Sequence, residues 1–150
     1  MAPARSPRHQ MVVGRLYRLL CDHVEARGTG IALVSPCDVY LSESDVPQPD
    51  LLVLLNEHRD RIRDDGVHGP PDLAVEVLSP STGAQDLTLK REIYRLAGVP
   101  EYWILDPRAQ TVSLWRLQES PERTLFKLDD RLASPLLPGF EPTVRAMFEP

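Results

Sequence analysis

Only two cysteines, Cys21 and Cys37, occur in this chain of 150 residues, too few for a disulfide framework or a four-cysteine zinc site. Long apolar runs are also missing. The longest, LLVLL at 51–55 and LAVEVL at 73–78, fall far short of the ~20 residues a helix needs to cross a bilayer, so no transmembrane segment is expected. The opening MAPARSPRHQ has no apolar stretch of the kind a secretory leader carries, which makes the cytoplasm the expected location. Positive charge is in deficit: 17 Lys and Arg against 22 Asp and Glu give a net charge of −5, the wrong sign for holding a polyanion by bulk electrostatics alone. The four histidines, His9, His23, His58 and His68, show no paired metal-ligand spacing.

What is present is an ordinary globular composition, 42% hydrophobic and 26% charged, at a length that fits one core and a single domain over 1–150. Charge is unevenly spread. Residues 1–30 carry five arginines against Asp22 and Glu25, a net of +3, whereas residues 41–76 carry nine acids against Arg59, Arg61 and Arg63, a net of −6. Such an acidic stretch is either a solvated surface or a cation site, and individual positions have to decide.

Val13, Leu16, Leu20 and Val24 recur at helical spacing and predict an amphipathic helix over 10–26, stopped by Gly28. IALV at 31–34 and CDVYL at 37–41 have strand composition, with a bend at SPC between them. LLVLL and LAVEVL read as further strands, and the polar NEHRDRIRDDGVHGPP between them as a loop with at most one helical turn. A second helix is expected before Gly98, with Leu89, Ile93 and Leu96 as its core stripe. EYWILD and TVSLWRL, separated by PRAQ, predict a hairpin in which Tyr102, Trp103 and Trp115 serve packing. A last strand is expected at 124–128, and the proline-rich SPLLPGFEP as an irregular cover. The order predicts an α/β fold, a central mixed sheet with helices against it.

Glu76 does not fit its surroundings. It lies mid-strand in LAVEVL, where an ionised carboxylate costs several kcal/mol unless it is paired or metal-bound. Alternation puts Asp72, Ala74 and Glu76 on one face and Leu73, Val75 and Val77 on the other, so apolar residues on both faces predict a strand buried on both sides rather than a half-exposed edge. Asp50 opens the other apolar strand. If the two strands are neighbours, Asp50 and Glu76 converge at one end of the sheet, a donor pair suited to Mg2+, which takes one or two carboxylates and keeps its waters. Lys90, early in the second helix, either reaches back to Glu76 or pairs with Asp86 four residues before it as a surface lysine.

QPDLLVL, PPDLAVEVLSPST, Asp86 with Lys90 in a D-x-x-x-K pattern, and YRLAGVPEYWILDP together resemble the Uma-type restriction endonuclease family, similar to the PD-(D/E)XK nuclease superfamily, over roughly residues 8–117. The resemblance implies a restriction-endonuclease-like core with its site at one end of two central strands. It matches Asp50 to the motif aspartate and Glu76 to the motif glutamate. Leu78 stands where the superfamily has its lysine, so that role passes to Lys90 on the following helix. His9 matches the histidine of the family's S-x-x-H, and the YELIDGEL-like stretch that precedes this motif in the family is expected to be missing here.

The function implied is a metal-dependent DNA endonuclease that hydrolyses phosphodiester bonds. Asp50 and Glu76 would hold Mg2+ or Mn2+, joined by the Val77 carbonyl, and Lys90 would orient a water or the scissile phosphate. Gln85, Asp86 and His9 are supporting candidates, and Arg8, Arg15 and Arg18 are candidate backbone contacts, with solvated helix surface the simpler reading of the three arginines. The alternative is a catalytically inactive nuclease fold that binds nucleic acid or protein. A homodimer is expected by symmetry if both strands of a duplex are cut.

Overall fold

The computed structural model describes residues 5–150. Helix α1 (Pro7–Leu20) begins three residues before the predicted start. Ser6 caps it by accepting the His9 N–H at 3.1 Å, and Pro7 takes a first-turn position where its missing N–H costs nothing. The helix continues as a π-helical turn, Cys21–Glu25, and ends at Gly28 as expected. Its buried face, Val12, Val13, Leu16 and Leu20, follows the predicted periodicity.

Six strands form the main sheet in the order β1-β3-β6-β7-β8-β9: β1 (Gly30–Val34), β3 (Leu51–Leu55), β6 (Leu73–Val77), β7 (Glu101–Asp106), β8 (Thr111–Arg116) and β9 (Arg123–Phe126). Within it only β6 and β7 run parallel, and helix α2 (Ala84–Ala97) makes the crossover between them. Every residue of β6 is buried, as a strand covered on both faces must be. One face packs on α1 and on the C-terminal segment, through Leu51, Val75, Trp103, Leu132, Phe140 and Met147 among others; the other carries Ala74, Tyr102 and Ile104 toward Tyr94 of α2. The proline-rich tail is the expected cover, finished by a short helix α3 (Arg145–Phe148).

Three expectations need correction. The strand predicted over 37–41 shrinks to β2 (Val39–Tyr40) and leaves the main sheet. It pairs with β5 (Gly66–His68), which pairs with β4 (Ile62–Arg63), and these two lie with a 3-10 helix, Asn56–Arg61, in the stretch read as a loop. Strands of two or three residues carry no periodicity to read. The third correction is the face of α2: Leu89 is 60% and Leu96 71% exposed, and Ile93 is half-buried. The helix instead turns Leu87, Lys90, Arg91 and Tyr94 toward the protein, and Gly98, in the left-handed conformation at φ 91°, stops it as predicted.

The exposure pattern sets an expected contrast. Leu96→Ala should change stability by no more than about 0.5 kcal/mol. Leu51→Ala, in the fully buried centre of the sheet, should cost about 2–5 kcal/mol. Urea denaturation of the two variants measures both, and a large loss in Leu96→Ala would show that this helix face is covered.

Candidate active site

The pairing of β3 with β6 sets Leu51 opposite Val75, so one step further along the two strands Asp50 lies opposite Glu76. The sequence-predicted carboxylates therefore meet at one end of the sheet. Asp50 is buried, and its Oδ2 accepts the Val77 N–H at 2.7 Å, which bends the carboxylate across the end of β6. The same oxygen lies 3.2 Å from Nε2 of His9, whose ring is buried beneath the first turn of α1. His9 thus contributes its backbone N–H to the helix cap and its ring to the site.

Glu76 is only 5% exposed, yet it is poorly satisfied. Its Oε1 lies 3.5 Å from Nζ of Lys90 and its Oε2 accepts from the Tyr94 hydroxyl at 3.4 Å, both long for their type. The other buried acids are treated differently. Asp72, immediately before the same strand, accepts the Leu55 N–H at 2.8 Å and faces Nδ1 of His58 at 2.9 Å. Glu101 accepts from Ser134 Oγ at 2.7 Å, Trp103 Nε1 at 3.0 Å and the Leu136 N–H at 3.1 Å. Those two carboxylates are structural. Among the buried acids of the described residues, Glu76 alone has no hydrogen bond of ordinary length.

Burial pushes the Glu76 carboxyl up to about 7, opposed by the charge of Lys90 and reinforced by that of Asp50. Tyr94, held protonated by burial and by the Glu76 charge, is a fixed donor toward it. Helical spacing explains how both partners arrive: Lys90 and Tyr94 are four residues apart, on the face of α2 that turns to β6. Tyr94 is the site residue that sequence reasoning missed, although its spacing from Lys90 was the signal. Lys90 does not take the surface alternative, because it pairs with Glu76 and no Lys90–Asp86 ion pair forms among the described residues. It is also one of only two lysines among 17 basic residues. Gln85 and Asp86 are exposed in the first turn of α2 and are not drawn into the cluster. Of the three candidate arginines, Arg15 donates to the Phe148 carbonyl at 3.3 Å and so ties α1 to α3, Arg18 is exposed, and Arg8 donates to the Pro107 carbonyl.

Among the described residues no three His, Cys, Asp or Glu side chains form a ready metal cage. The donor set is instead two carboxylates, one of them lacking short hydrogen bonds, which suits a hard, hydrated divalent cation. No helix among the described residues is long and apolar enough to cross a membrane.

Comparison with known proteins bears on the family and the fold. The family model described as "Uma2: Putative restriction endonuclease" matches residues 1–146. The chain is similar to a crystal structure of a "putative nuclease belonging to DUF820" from Anabaena variabilis, with a TM-score of 0.83 at 19% identity, covering 97% of this chain and 83% of that one. No curated protein matches.

The raised Glu76 carboxyl has a definite pH signature. The folded chain keeps, between pH 4.5 and about 7, a proton that the unfolded chain has released, so stability falls as pH rises through that window and the loss is complete above it. In metal-free buffer Glu76→Gln should remove this dependence, gaining up to about 3 kcal/mol over wild type above pH 7 relative to its standing at pH 4.5. Urea denaturation at the two pH values tests this, and parallel pH profiles for the two proteins would refute it.

Proposed function

The chain belongs to the Uma2 family of putative restriction endonucleases, and from that premise we propose that it is a metal-dependent endonuclease hydrolysing phosphodiester bonds in DNA. The observation that carries this reading is the under-satisfied Glu76, opposite Asp50 and within reach of Lys90. A protein that needed these residues only for its fold would have saturated Glu76 as it saturates Asp72 and Glu101.

In this reading Asp50 and Glu76 hold Mg2+, or Mn2+ in its place, with the Val77 carbonyl as a further oxygen donor. Such a cation supplies Lewis-acid activation of water and neutralises charge developing on the phosphate. The chain's own residues do the rest. The Val77 N–H and His9 fix the Asp50 carboxylate, so that its other oxygen, Oδ1, is presented at a set angle. Tyr94 and Lys90 hold Glu76 loosely enough to exchange a long contact for a cation. Lys90, partly exposed, is free to donate to the attacking water or to a phosphate oxygen once Glu76 is otherwise engaged. Each chain carries one such site, so cutting both strands of a duplex calls for a second copy related by a twofold axis.

Purified protein should nick supercoiled DNA with Mg2+ or Mn2+ and not in EDTA. Asp50→Ala and Glu76→Gln should each lower the rate by about 10²-fold or more while remaining folded, and Lys90→Ala should lower it less completely. An inert protein that also fails to bind Mg2+ in calorimetry would overturn the enzyme and leave a nuclease fold that binds without cutting.

A further inference from the structure

Beside the carboxylate pair lies a cleft of about 530 Å³ that the chemistry above does not use. It opens where β6 and β7 end, between Leu78–Thr82 on one side and Asp106–Arg108 on the other, with the first turn of α1 as its third wall. Crevices beyond the carboxyl ends of parallel strands are where open α/β sheets place ligands, and β6 and β7 are the parallel neighbours of this sheet. His9 joins cleft and site, since it lines the one and touches Asp50 in the other.

The walls are basic although the chain is acidic. Arg8 and Arg108 line the cleft, and Arg5 reaches its rim by donating to Ser79 Oγ at 2.8 Å. The acid among the lining residues, Asp106, is spent on its own turn, where Oδ1 accepts the N–H groups of Arg108 at 3.0 Å and Ala109 at 3.1 Å. Hydroxyls are gathered opposite: Ser79 Oγ lies 3.0 Å from Thr82 Oγ1 and 3.2 Å from Ser81 Oγ. The amino end of α1, capped by Ser6, faces the same space and favours negative charge there. Between these polar groups the half-buried Leu78 and the exposed Pro80 supply apolar surface.

We propose that this cleft is a subsite for one unpaired nucleotide next to the scissile bond, its phosphate held by Arg8 and Arg108 and by the Ser79–Thr82 hydroxyls, its sugar and base laid on Leu78 and Pro80. The inference rests on the nuclease reading and adds a substrate class to it, a strand that is single at the site of cutting. Size makes the choice. A volume near 530 Å³ is that of a small-ligand pocket, which runs from about 300 to 1,000 Å³, and a base reaches such a pocket only when it is out of the stack. A basic groove that tracks the backbone is one of the features that hold single strands without reading sequence, and Arg8 and Arg108 supply it here. Arg8 is itself braced, through its bond to the Pro107 carbonyl, so the α1 and β7–β8 walls are tied together.

The test measures binding in EDTA, where no cleavage is needed. Fluorescence anisotropy compares a short labelled single strand with the duplex of the same sequence on the full chain. Arg108 is the variant of choice, because its side chain is exposed and makes no hydrogen bond or ion pair among the described residues, so its loss leaves the fold intact. Wild type should prefer the single strand, and Arg108→Ala should weaken that binding several-fold while lowering the salt slope by about one. Arg108→Glu should weaken it further, and Glu76→Gln should leave it unchanged or tighter. With metal, Arg108→Ala should raise KM for single-stranded substrate more than it lowers kcat. Equal binding of duplex and single strand, no binding at all, or Arg108 variants that bind like wild type would each overturn the subsite. Cleavage that persists while the Arg108 variants bind like wild type would leave the nuclease standing without it. Single-strand binding lost in Arg108→Glu but accompanied by no cleavage would retain the strand-binding cleft and overturn its place beside a scissile bond.

Discussion

A carboxylate in the middle of a central strand is the constraint on which the rest of this molecule turns. β6 cannot lie at an edge, because its apolar residues on both faces require cover, so Glu76 is carried into the interior with them. Once there, it is given a charge partner at arm's length and a hydroxyl that barely reaches, rather than the short N–H donors that settle Asp72 and Glu101. Folding energy is being held in an unsatisfied group. The antiparallel partner β3 increases the tension by setting a second carboxylate, Asp50, directly opposite, and the two negative charges raise the cost of ionising Glu76 further.

The connection from β6 to β7 supplies what the strands themselves cannot. A parallel pair needs a crossover, and a helix is the usual one, so α2 must come back over the face that carries Glu76. That return brings Lys90 and Tyr94 over the carboxylate from one helix face. The topology that buries the acid is therefore the same one that delivers its partners.

How far this was legible in the sequence depended on whether a residue broke a local rule or obeyed one. Glu76 broke the apolar pattern of its strand, and Asp50 followed from it once the strands were taken as neighbours, so the carboxylate pair could be read without coordinates. The inward face of α2 could not. Leu89, Ile93 and Leu96 make a plausible core stripe, yet the helix shows them largely to solvent and turns Lys90, Arg91 and Tyr94 inward, because the surface it covers is a charged site and a tyrosine pair rather than aliphatic core. Amphipathic pattern fails where the surface that a helix covers is itself polar. The small sheet of β2, β4 and β5 was hidden for another reason: pairings of two or three residues are held by long-range contacts and leave almost no local trace.

The choice of lysine at position 90 follows from the same tension. Fifteen of the 17 basic residues are arginine, so a guanidinium is what this chain uses by default. An arginine opposite Glu76 would lock both carboxylate oxygens in a planar two-bond fork, saturating the acid as thoroughly as Asp72 is saturated. A lysine presents a single compact charge on a flexible stem, and here it stays 3.5 Å away and partly exposed. It moderates the buried charge enough for the strand to fold without closing Glu76 to a second ligand. The one ammonium in the cluster is thus the group that reconciles a foldable sheet with a carboxylate left short of close hydrogen bonds.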